Sequence, residues 1–319
     1  MSPETAVQST VIRAVFFGSG SFAVPILDAL VAVPGIRVEA VVSAPDRPVG
    51  RKAIVTPTPV TARARELGLA VLQPARVRRP EAVAEITALA PDVVVLADYG
   101  QLIPRALLDL PPRGFLNLHP SELPRWRGAA PIPATLLAGD ERSAVTLMVV
   151  TEAMDEGPIV ATAPLAILPD DTAVTLEERA ASVAGELLRR ALPEWLAGGM
   201  TARPQPSEGV TLTRPLRRED GLLNVCGDAE SLARQVRAYQ PWPGSYVETP
   251  AGRLVVWRGS AEPGGPGEDG LLIAHGDGLA ISTVAGLFVL QEIQLAGKRR
   301  MTGAELRRGY PGLLGKHVG

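Results

Sequence analysis

The chain has 319 residues, more than one average domain contains, so its length predicts two folding units that can each bury a core. It is 46% hydrophobic and 21% charged, and no apolar run reaches the roughly eighteen residues that a membrane span requires. The net charge of -2 gives no global sign of a polyanionic partner, and the single cysteine, Cys226, excludes an internal disulfide and a cysteine-based metal cluster.

The first ten residues are polar and run directly into a strand-like segment at residues 13–17. They lack the basic and then apolar pattern of a signal peptide. We therefore expect a cytoplasmic protein, with neither a membrane nor DNA as a partner.

Short β-rich runs alternate with helical stretches through the first half of the chain, as they do in βαβ units. The predicted strands are residues 14–17, 38–43, 71–73, 93–96, 115–118 and 145–150. The predicted helices are residues 25–33, 59–68, 80–89 and 175–197, several of which begin with proline and end near glycine. The alternation predicts a doubly wound α/β fold, in which helices cover both faces of a mostly parallel sheet.

The composition changes after the last of these helices. Residues 198–206 are rich in Gly, Pro and polar side chains, which is typical of a linker. We expect a catalytic domain at residues 1–204, a linker at 205–213 and a second domain at 214–319. A helix at 228–239, followed by short glycine-punctuated strands, predicts that the second domain is a smaller β-barrel.

The Gly18-Ser-Gly20 turn follows the first predicted strand, where glycines would let a phosphate approach a helix N-terminus. A full dinucleotide fingerprint needs a third glycine where this chain has Ala23, and an acid after the second strand where it has Ser43. A plain tight turn is therefore favoured over a nucleotide site.

Two polar side chains end the predicted strand at 115–118. Asn117 and His119 are two residues apart, so both point to one face, at the carboxyl end of a strand where ligands gather in open α/β sheets. Asp155 follows the strand at 145–150, and we expect its loop at the same rim, where the carboxylate would orient the imidazole. The alternatives are that His119 caps a loop and that Asp155 belongs to an Asp-Glu-Gly turn.

Three longer motifs surround these side chains: Asn117-Leu-His-Pro-Ser-Glu-Leu-Pro-Arg-Trp-Arg-Gly-Ala-Ala-Pro131, Val145-Thr-Leu-Met148 and Met154-Asp-Glu-Gly-Pro158. Together they resemble the Asn, His and Asp signature of the folate-dependent formyltransferases. The resemblance extends to residues 44–51, 99–104, 237–243 and 295–301, and so spans nearly the whole chain. It implies a Rossmann-like catalytic domain followed by an OB-like β-barrel.

The resemblance also implies the chemistry. The formyl donor would be 10-formyltetrahydrofolate, and no metal would take part. Asn117 and His119 would contact the formyl oxygen as charge develops on it, while Asp155 would hold His119 and help to route protons.

The tetrahydrofolate site, by the same resemblance, would be lined by Ser121, Glu122, Leu123 and Pro124. Glu122 stands where the family usually has leucine, and Asp98 where it usually has a small apolar residue. Glu122 would alter folate affinity if it faced the pterin, and would be neutral if it faced solvent.

The acceptor is indicated by two basic clusters. Within the family, the chain resembles the members that formylate methionyl initiator tRNA, and this implies that the loop of the first cluster reaches toward the acceptor stem. Both clusters are candidate phosphate contacts, and the alternative is that each is only a solvated basic surface. The clusters consist of Arg47, Arg51 and Lys52, and of Lys298, Arg299 and Arg300. The alternatives are a formyltransferase that acts on an amino-sugar nucleotide and, from another class, a non-catalytic or NAD-binding Rossmann protein.

Overall fold

A computed structural model describes residues 11–50, 53–264 and 268–319. By contact these residues form two compact units: one from residues up to 128, 142–166 and 177–212, and one from 129–141, 167–176 and 213–319. The second unit thus includes two segments that precede most of it in sequence. The expected division into residues 1–204, 205–213 and 214–319 stays a prediction.

A seven-stranded sheet forms the centre of the first unit, in the order β10-β9-β7-β6-β1-β2-β5. Its strands are β1 (Ile12–Gly18), β2 (Ile36–Val42), β5 (Val71–Leu72), β6 (Val93–Ala97), β7 (Phe115–His119), β9 (Arg142–Val149) and β10 (Ile159–Ala166). The five neighbouring strands β5, β2, β1, β6 and β7 are mutually parallel, and β9 is antiparallel to both of its neighbours, β7 and β10. The other short strands in this part of the chain are β3 (Arg47–Val49), β4 (Ile54–Thr56), β8 (Arg127–Gly128) and β11 (Leu212–Thr213).

The sheet confirms the predicted mostly parallel α/β fold. The order of the parallel strands reverses between β1 and β6, and this is the switch point at which open α/β sheets bind ligands. Apolar side chains on the strands bury the centre of the sheet, with Val15, Phe17, Val94 and Phe115 in one cluster. Strand β10 was not predicted because Pro164 interrupts its β pattern, but an edge strand tolerates a proline.

The α-helices begin where capping chemistry allows. They are α1 (Val24–Val31), α2 (Pro59–Glu66), α3 (Pro80–Ala88), α4 (Arg105–Leu108), α5 (Pro131–Ala138), α6 (Ala173–Leu196), α7 (Ala229–Ala238) and α8 (Gly303–Gly309). Proline lies in the first turn of α2 and α3, where a missing backbone N–H costs nothing. The side chain of Asp228 accepts from Ser231 N and so caps α7.

The second unit is built on an antiparallel sheet. Its strands are β12 (Ser245–Thr249), β13 (Gly252–Glu262), β14 (Leu272–His275), β15 (Gly278–Ser282), β16 (Leu287–Leu295) and β17 (Met301–Thr302). They are ordered β12-β13-β16-β15-β14, with β17 also paired to β16, and the apolar face of α7 packs into their core through Leu232 and Val236. This confirms the predicted smaller β domain with one leading helix, and α8 is an addition to it.

The segment before α7 is fixed by Asp220. Its carboxylate accepts two hydrogen bonds from the Arg214 guanidinium, at 2.6 and 2.7 Å, and one from Arg217 N at 2.7 Å. The hydrogen bonds from Arg214 lower the pKa of Asp220 to about 2.

We expect this interaction to make the protein acid-sensitive. A carboxyl whose pKa is lower in the folded state stabilises the fold above its unfolded pKa of about 4, and that stabilisation disappears as the pH falls towards 2. Urea unfolding should therefore show Asp220→Asn to be less stable than the wild type at pH 6, with a difference that shrinks between pH 4 and pH 2.5. Asp277→Asn, which alters an exposed carboxylate, is the control. A difference between Asp220→Asn and wild type that does not change with pH would contradict this assignment.

Candidate active site

Strand β7 positions the amide and the imidazole. It lies between β6 and β9, and all five of its residues are buried. Asn117 and His119 are 7% and 5% exposed, so both polar side chains sit in a largely water-free place, on the same face because strand side chains alternate. Buried polar groups of this kind need partners.

Asp155 reaches these side chains by a different route from the one expected. Strand β9 is antiparallel to β7, so Val149 at its carboxyl end pairs with Leu116, while His119 pairs with Thr146. The argument that the loop after β9 would emerge at the rim beside His119 is therefore wrong. The loop at residues 151–157 instead folds back over the face of β7 that carries Asn117 and His119, because the Asp155 carboxylate contacts both side chains.

The Asp155 carboxylate joins three parts of the site. Its Oδ2 accepts from Gly128 N at 2.8 Å and lies 3.8 Å from His119 Nδ1, and its Oδ1 accepts from Asn117 Nδ2 at 3.4 Å. The side chain is 15% exposed. The structure thus brings the three predicted catalytic side chains together, and their chemical roles stay predictions.

The hydrogen bonds of His119 fix one of its protons. Nε2 lies 2.9 Å from the carbonyl oxygen of Trp126. A carbonyl oxygen only accepts, so the hydrogen in this contact is on Nε2. Nδ1 faces Asp155 and can donate to that carboxylate only when the ring carries both protons.

The loop after β7 is held by its own polar groups. Ser121 is fully buried, and its Oγ donates to Arg125 O at 2.7 Å, while Thr146 Oγ1 donates to Ser121 O at 2.7 Å. Leu123 is buried, Pro124 is half-buried and Glu122 is exposed. The Glu122 charge therefore faces solvent, and the contact of these four residues with folate stays a prediction.

The Gly18-Ser-Gly20 turn has a carboxylate where a phosphate would bind. A Cβ at Gly20 would overlap the Asp98 carboxylate, which accepts a hydrogen bond from the Gly20 amide. Although Asp98 as a whole is exposed, its carboxylate lies against this turn, and the loss of water there raises its pKa, as does the charge of Glu177. Two acidic groups at this turn disfavour a dinucleotide phosphate.

The basic residues lie on the surface. Arg47 begins the β3–β4 hairpin and is exposed, whereas Arg51 and Lys52 lie outside the described residues. In the second unit, Lys298 is exposed, Arg299 pairs with Glu305 at 2.8 Å, and Arg300 pairs with Glu292 at 3.1 Å. Part of the charge of this second cluster is thus balanced by carboxylates.

Arg47 also borders a cavity of about 380 Å³. The cavity is lined by segments that follow β2, β5 and β6, and its residues are Pro45, Arg47, Ala75, Arg76, Arg78, Gln101 and Leu102. The Gln101 side chain fixes the segment with the two additional arginines, since it accepts from Val77 N at 2.8 Å and donates to Pro74 O. The sequence did not reveal Arg76 and Arg78 as neighbours of Arg47. These residues follow different strands, and they come together only through the order of the strands in the sheet.

Two further polar side chains contact the site loops. Gln205 bonds to the loop at 151–157 and to Arg127, and Thr211 bonds to the loop at 124–127. Both fall in the predicted linker, where a Pro-rich composition gave no signal of such contacts. Among the described residues, no group of three or more His, Cys, Asp or Glu side chains could hold a metal ion, and no helix is long and apolar enough to span a membrane.

A buried amide and imidazole on β7, in contact with a carboxylate from the loop at 151–157, are the kinds of group that acyl transfer requires. The sequence model of the formyl transferase family matches residues 12–192, and that of the formyl transferase C-terminal domain matches residues 215–311. The chain therefore belongs to the formyl transferase family.

Its relatives are similar over nearly the whole chain. The methionyl-tRNA formyltransferase of Thermus thermophilus is 43% identical over 312 residues, which are 97% of this chain and 99% of the relative. That of Halorhodospira halophila is 44% identical over 303 residues, 93% of this chain and 96% of the relative.

Solved structures share the fold at low identity. An N-formyltransferase from Helicobacter canadensis, in complex with folinic acid and dTDP-3-aminofucose, has a TM-score of 0.65 at 14% identity and covers 91% of this chain and 100% of its own. HypX from Aquifex aeolicus, in complex with tetrahydrofolic acid, has a TM-score of 0.61 at 16% identity. It covers 96% of this chain, which spans about half of HypX (49%).

The loop at 151–157, which folds back over β7 and carries Asp155, requires glycine at position 157. A Cβ there would overlap the backbone carbonyl of Val149. We expect Gly157→Ala to lower the free energy of unfolding by about 1–3 kcal/mol, because a backbone atom cannot move aside as a side chain can. Gly100→Ala, at a glycine with open space around it, is the control for chemical denaturation. Equal stability of the two variants would show that the loop does not depend on this close approach.

Proposed function

We propose that this protein transfers the formyl group of 10-formyltetrahydrofolate to the α-amino group of methionyl initiator tRNA. The products are N-formylmethionyl-tRNA, which initiates translation in the cytoplasm, and tetrahydrofolate. The observation that carries the proposal is the convergence of Asn117, His119 and Asp155 in a chain that is 43% identical, over 97% of its length, to a methionyl-tRNA formyltransferase.

The reaction is an acyl transfer from one nitrogen to another. The amine nitrogen attacks the formyl carbon, and the C=O electron pair moves onto oxygen to give a tetrahedral intermediate. The bond from carbon to the folate nitrogen then breaks as the carbonyl re-forms, while the folate nitrogen gains a proton and the former amine loses one. An α-amino group has an ordinary pKa of about 8, so the attacking amine needs little activation.

Asn117 and His119 supply the polar groups that this sequence needs. One hydrogen of Asn117 Nδ2 points to Asp155, and the other can stabilise the oxygen on which charge develops. Nδ1 of His119 and Nδ2 of Asn117 face the two oxygens of Asp155, so a proton on Nδ1 would belong to the same polar group as the Asn117 amide. Asp155 orients both side chains, and the Gly128 amide orients Asp155.

The donor binds next to this group, along the turn after β7. The buried Ser121 and Leu123 shape the turn, which leaves its backbone and Pro124 to meet the pterin. Glu122 is exposed, so we infer that its replacement of the usual leucine leaves folate affinity little changed.

We expect Asn117→Ala, His119→Ala and Asp155→Ala each to lower kcat about 100-fold or more, because each removes a group that acts on the developing charge or its orientation. Steady-state formyl transfer to charged initiator tRNA measures this. Asn224→Ala and His275→Ala change the same residue types in the second unit and should keep wild-type rates. Near-normal turnover in one of the first three variants would remove that residue from the mechanism.

Arginines around the 380 Å³ cavity support an RNA acceptor. Arg47, Arg76 and Arg78 are exposed, and within the described part of the chain none of them has a carboxylate partner. Three uncompensated guanidinium groups favour a ligand with several negative charges, and an RNA backbone provides one per nucleotide. We propose that Arg76 and Arg78 join Arg47, Arg51 and Lys52 on the acceptor stem, and that Lys298, Arg299 and Arg300 form a second contact.

Charge removal at the cavity should make tRNA binding weaker and less dependent on salt. We expect Arg47→Gln, Arg76→Gln and Arg78→Gln each to raise the KM for charged tRNA several-fold, and to reduce the slope of log affinity against log salt by about one. The KM for the folate donor should not change. The control, Arg105→Gln, alters an exposed arginine that pairs with Asp109. A salt slope near zero in the wild type would exclude these phosphate contacts.

An acceptor assay tests the function itself. The enzyme and 10-formyltetrahydrofolate are offered charged initiator tRNA, charged elongator tRNA, an amino-sugar nucleotide or water, and the formylated product is identified by mass spectrometry. We expect formylmethionine on initiator tRNA. Formylation of the sugar nucleotide alone would establish the other acceptor class, and formate release into water alone would establish a hydrolase.

A further inference from the structure

The segment at residues 205–211 runs beside both loops of the active site. We propose that it is a strap that positions the catalytic groups: Gln205 holds the loop of Asp155, and Thr211 holds the loop that binds His119. Both are positioning residues, since neither contacts the catalytic side chains directly. The inference rests on the proposed formyl transfer for its kinetic test and on the structure alone for its second test.

Gln205 joins the Asp155 loop to the loop after β7. Its Nε2 donates to Asp155 O at 2.8 Å and to Gly157 O at 2.9 Å. Its Oε1 accepts from Arg127 Nε at 3.0 Å and from Arg127 Nη2 at 2.8 Å. The side-chain amide therefore uses both of its hydrogens and both of its lone pairs.

The orientation of this amide is determined by its partners. If oxygen and nitrogen were exchanged, the NH2 group would face the N–H groups of Arg127, and the oxygen would face two carbonyl oxygens. All four hydrogen bonds would then become repulsive contacts, so only one orientation is compatible with the surroundings. The backbone carbonyls that Gln205 binds are those of Asp155 itself and of Gly157, and Asp155 has a left-handed φ of 52°, which a non-glycine residue rarely adopts. Gln205 thus stabilises an otherwise unfavourable backbone conformation.

The chain around Gln205 is itself restrained. Arg203 exchanges two backbone hydrogen bonds with Ile159, at 2.7 and 2.8 Å, which anchors the start of the strap beside β10. Pro204 and Pro206 flank Gln205, and a residue before proline is confined to extended conformations. The glutamine is therefore presented from a backbone with little freedom.

Thr211 makes the corresponding contacts to the other loop. Its Oγ1 accepts from Trp126 N at 2.8 Å, its carbonyl accepts from Arg127 N at 3.0 Å, and its own N–H donates to Pro124 O at 3.3 Å. Trp126 has a left-handed φ of 60°, and its carbonyl accepts from His119 Nε2. Thr211 therefore fixes the residue that fixes the imidazole.

Loss of the strap should slow the chemical step without weakening substrate binding. A shift of about 1 Å in a catalytic group can cost up to about 100-fold in rate. We expect Gln205→Ala and Thr211→Val to lower kcat about 10- to 100-fold, with KM values for donor and tRNA within about threefold of wild type. Gln205→Glu should not restore the rate, since it can accept from Arg127 but directs oxygen at two carbonyls.

Gln235→Ala is the matched control, because Gln235 also donates to two backbone carbonyls, those of Asp220 and Leu222, in the second unit. Gln235→Ala should keep the wild-type kcat, although its melting temperature should change about as much as that of Gln205→Ala. The strap is refuted if Gln205→Ala stays within twofold of the wild-type kcat, if Gln235→Ala loses as much, or if Gln205→Glu restores the rate.

Hydrogen exchange of the full chain separates the strap from the proposed function. In Gln205→Ala, backbone amides of residues 125–128 and 150–157 should exchange faster than in wild type, while those of β1 and β6 should not change. Unchanged exchange in both loops would overturn the strap even if the enzyme is a formyltransferase. A wild type that formylates no acceptor would refute the proposed function, and the exchange result would still decide the strap.

Discussion

The geometry of the candidate active site depends on one carboxylate. Asp155 is the only one of its three principal residues that touches both of the others, and through Gly128 N it also holds the loop that follows β7. Asp155 takes a left-handed backbone conformation, which aspartate tolerates better than larger or branched residues do. Without this side chain, Asn117 and His119 would lose a partner in a place that water reaches poorly.

This dependence explains why the site is built from so many backbone contacts. A buried polar group without a partner costs about 1–3 kcal/mol, so each hydrogen bond around Asp155 disfavours the arrangements that break it. The Asp155 loop accepts a hydrogen bond from Gln205, and its Gly157 packs closely against the backbone of Val149. The polar groups are therefore oriented before substrate arrives, and this preorganisation is what makes fixed dipoles effective in stabilising charge.

Local sequence patterns predicted the features that depend on neighbouring residues, namely the strands, the helices and the face of a strand on which a side chain lies. The alternation of strand and helix gave the sheet of the first unit, and the two-residue spacing placed Asn117 and His119 on one face of β7. The path to Asp155 was misjudged, because the pattern of residues 145–150 shows a strand but not its direction, and β9 is antiparallel to β7. The role of Gln205 could not be predicted either, because it depends on long-range contacts. Its partners lie 48 to 78 residues away in sequence, and a glutamine between two prolines looks like any linker residue.

The chemistry of the site does not select the amine. A formyl oxygen would meet the same amide and imidazole whichever nitrogen attacked its carbon, so acceptor choice has to come from surfaces outside the catalytic group. The two basic clusters differ in this respect. Arg299 and Arg300 are each paired with a glutamate, and Arg300 also lies 3.9 Å from the centre of the Trp257 ring, so a phosphate must compete for both. Around the cavity of the first unit, the described residues offer Arg47, Arg76 and Arg78 no carboxylate, and a phosphate that binds there displaces only water and counterions. A polyanion would therefore gain more electrostatic energy beside Arg47, Arg76 and Arg78, in the unit that carries Asn117, His119 and Asp155, than at the second basic cluster.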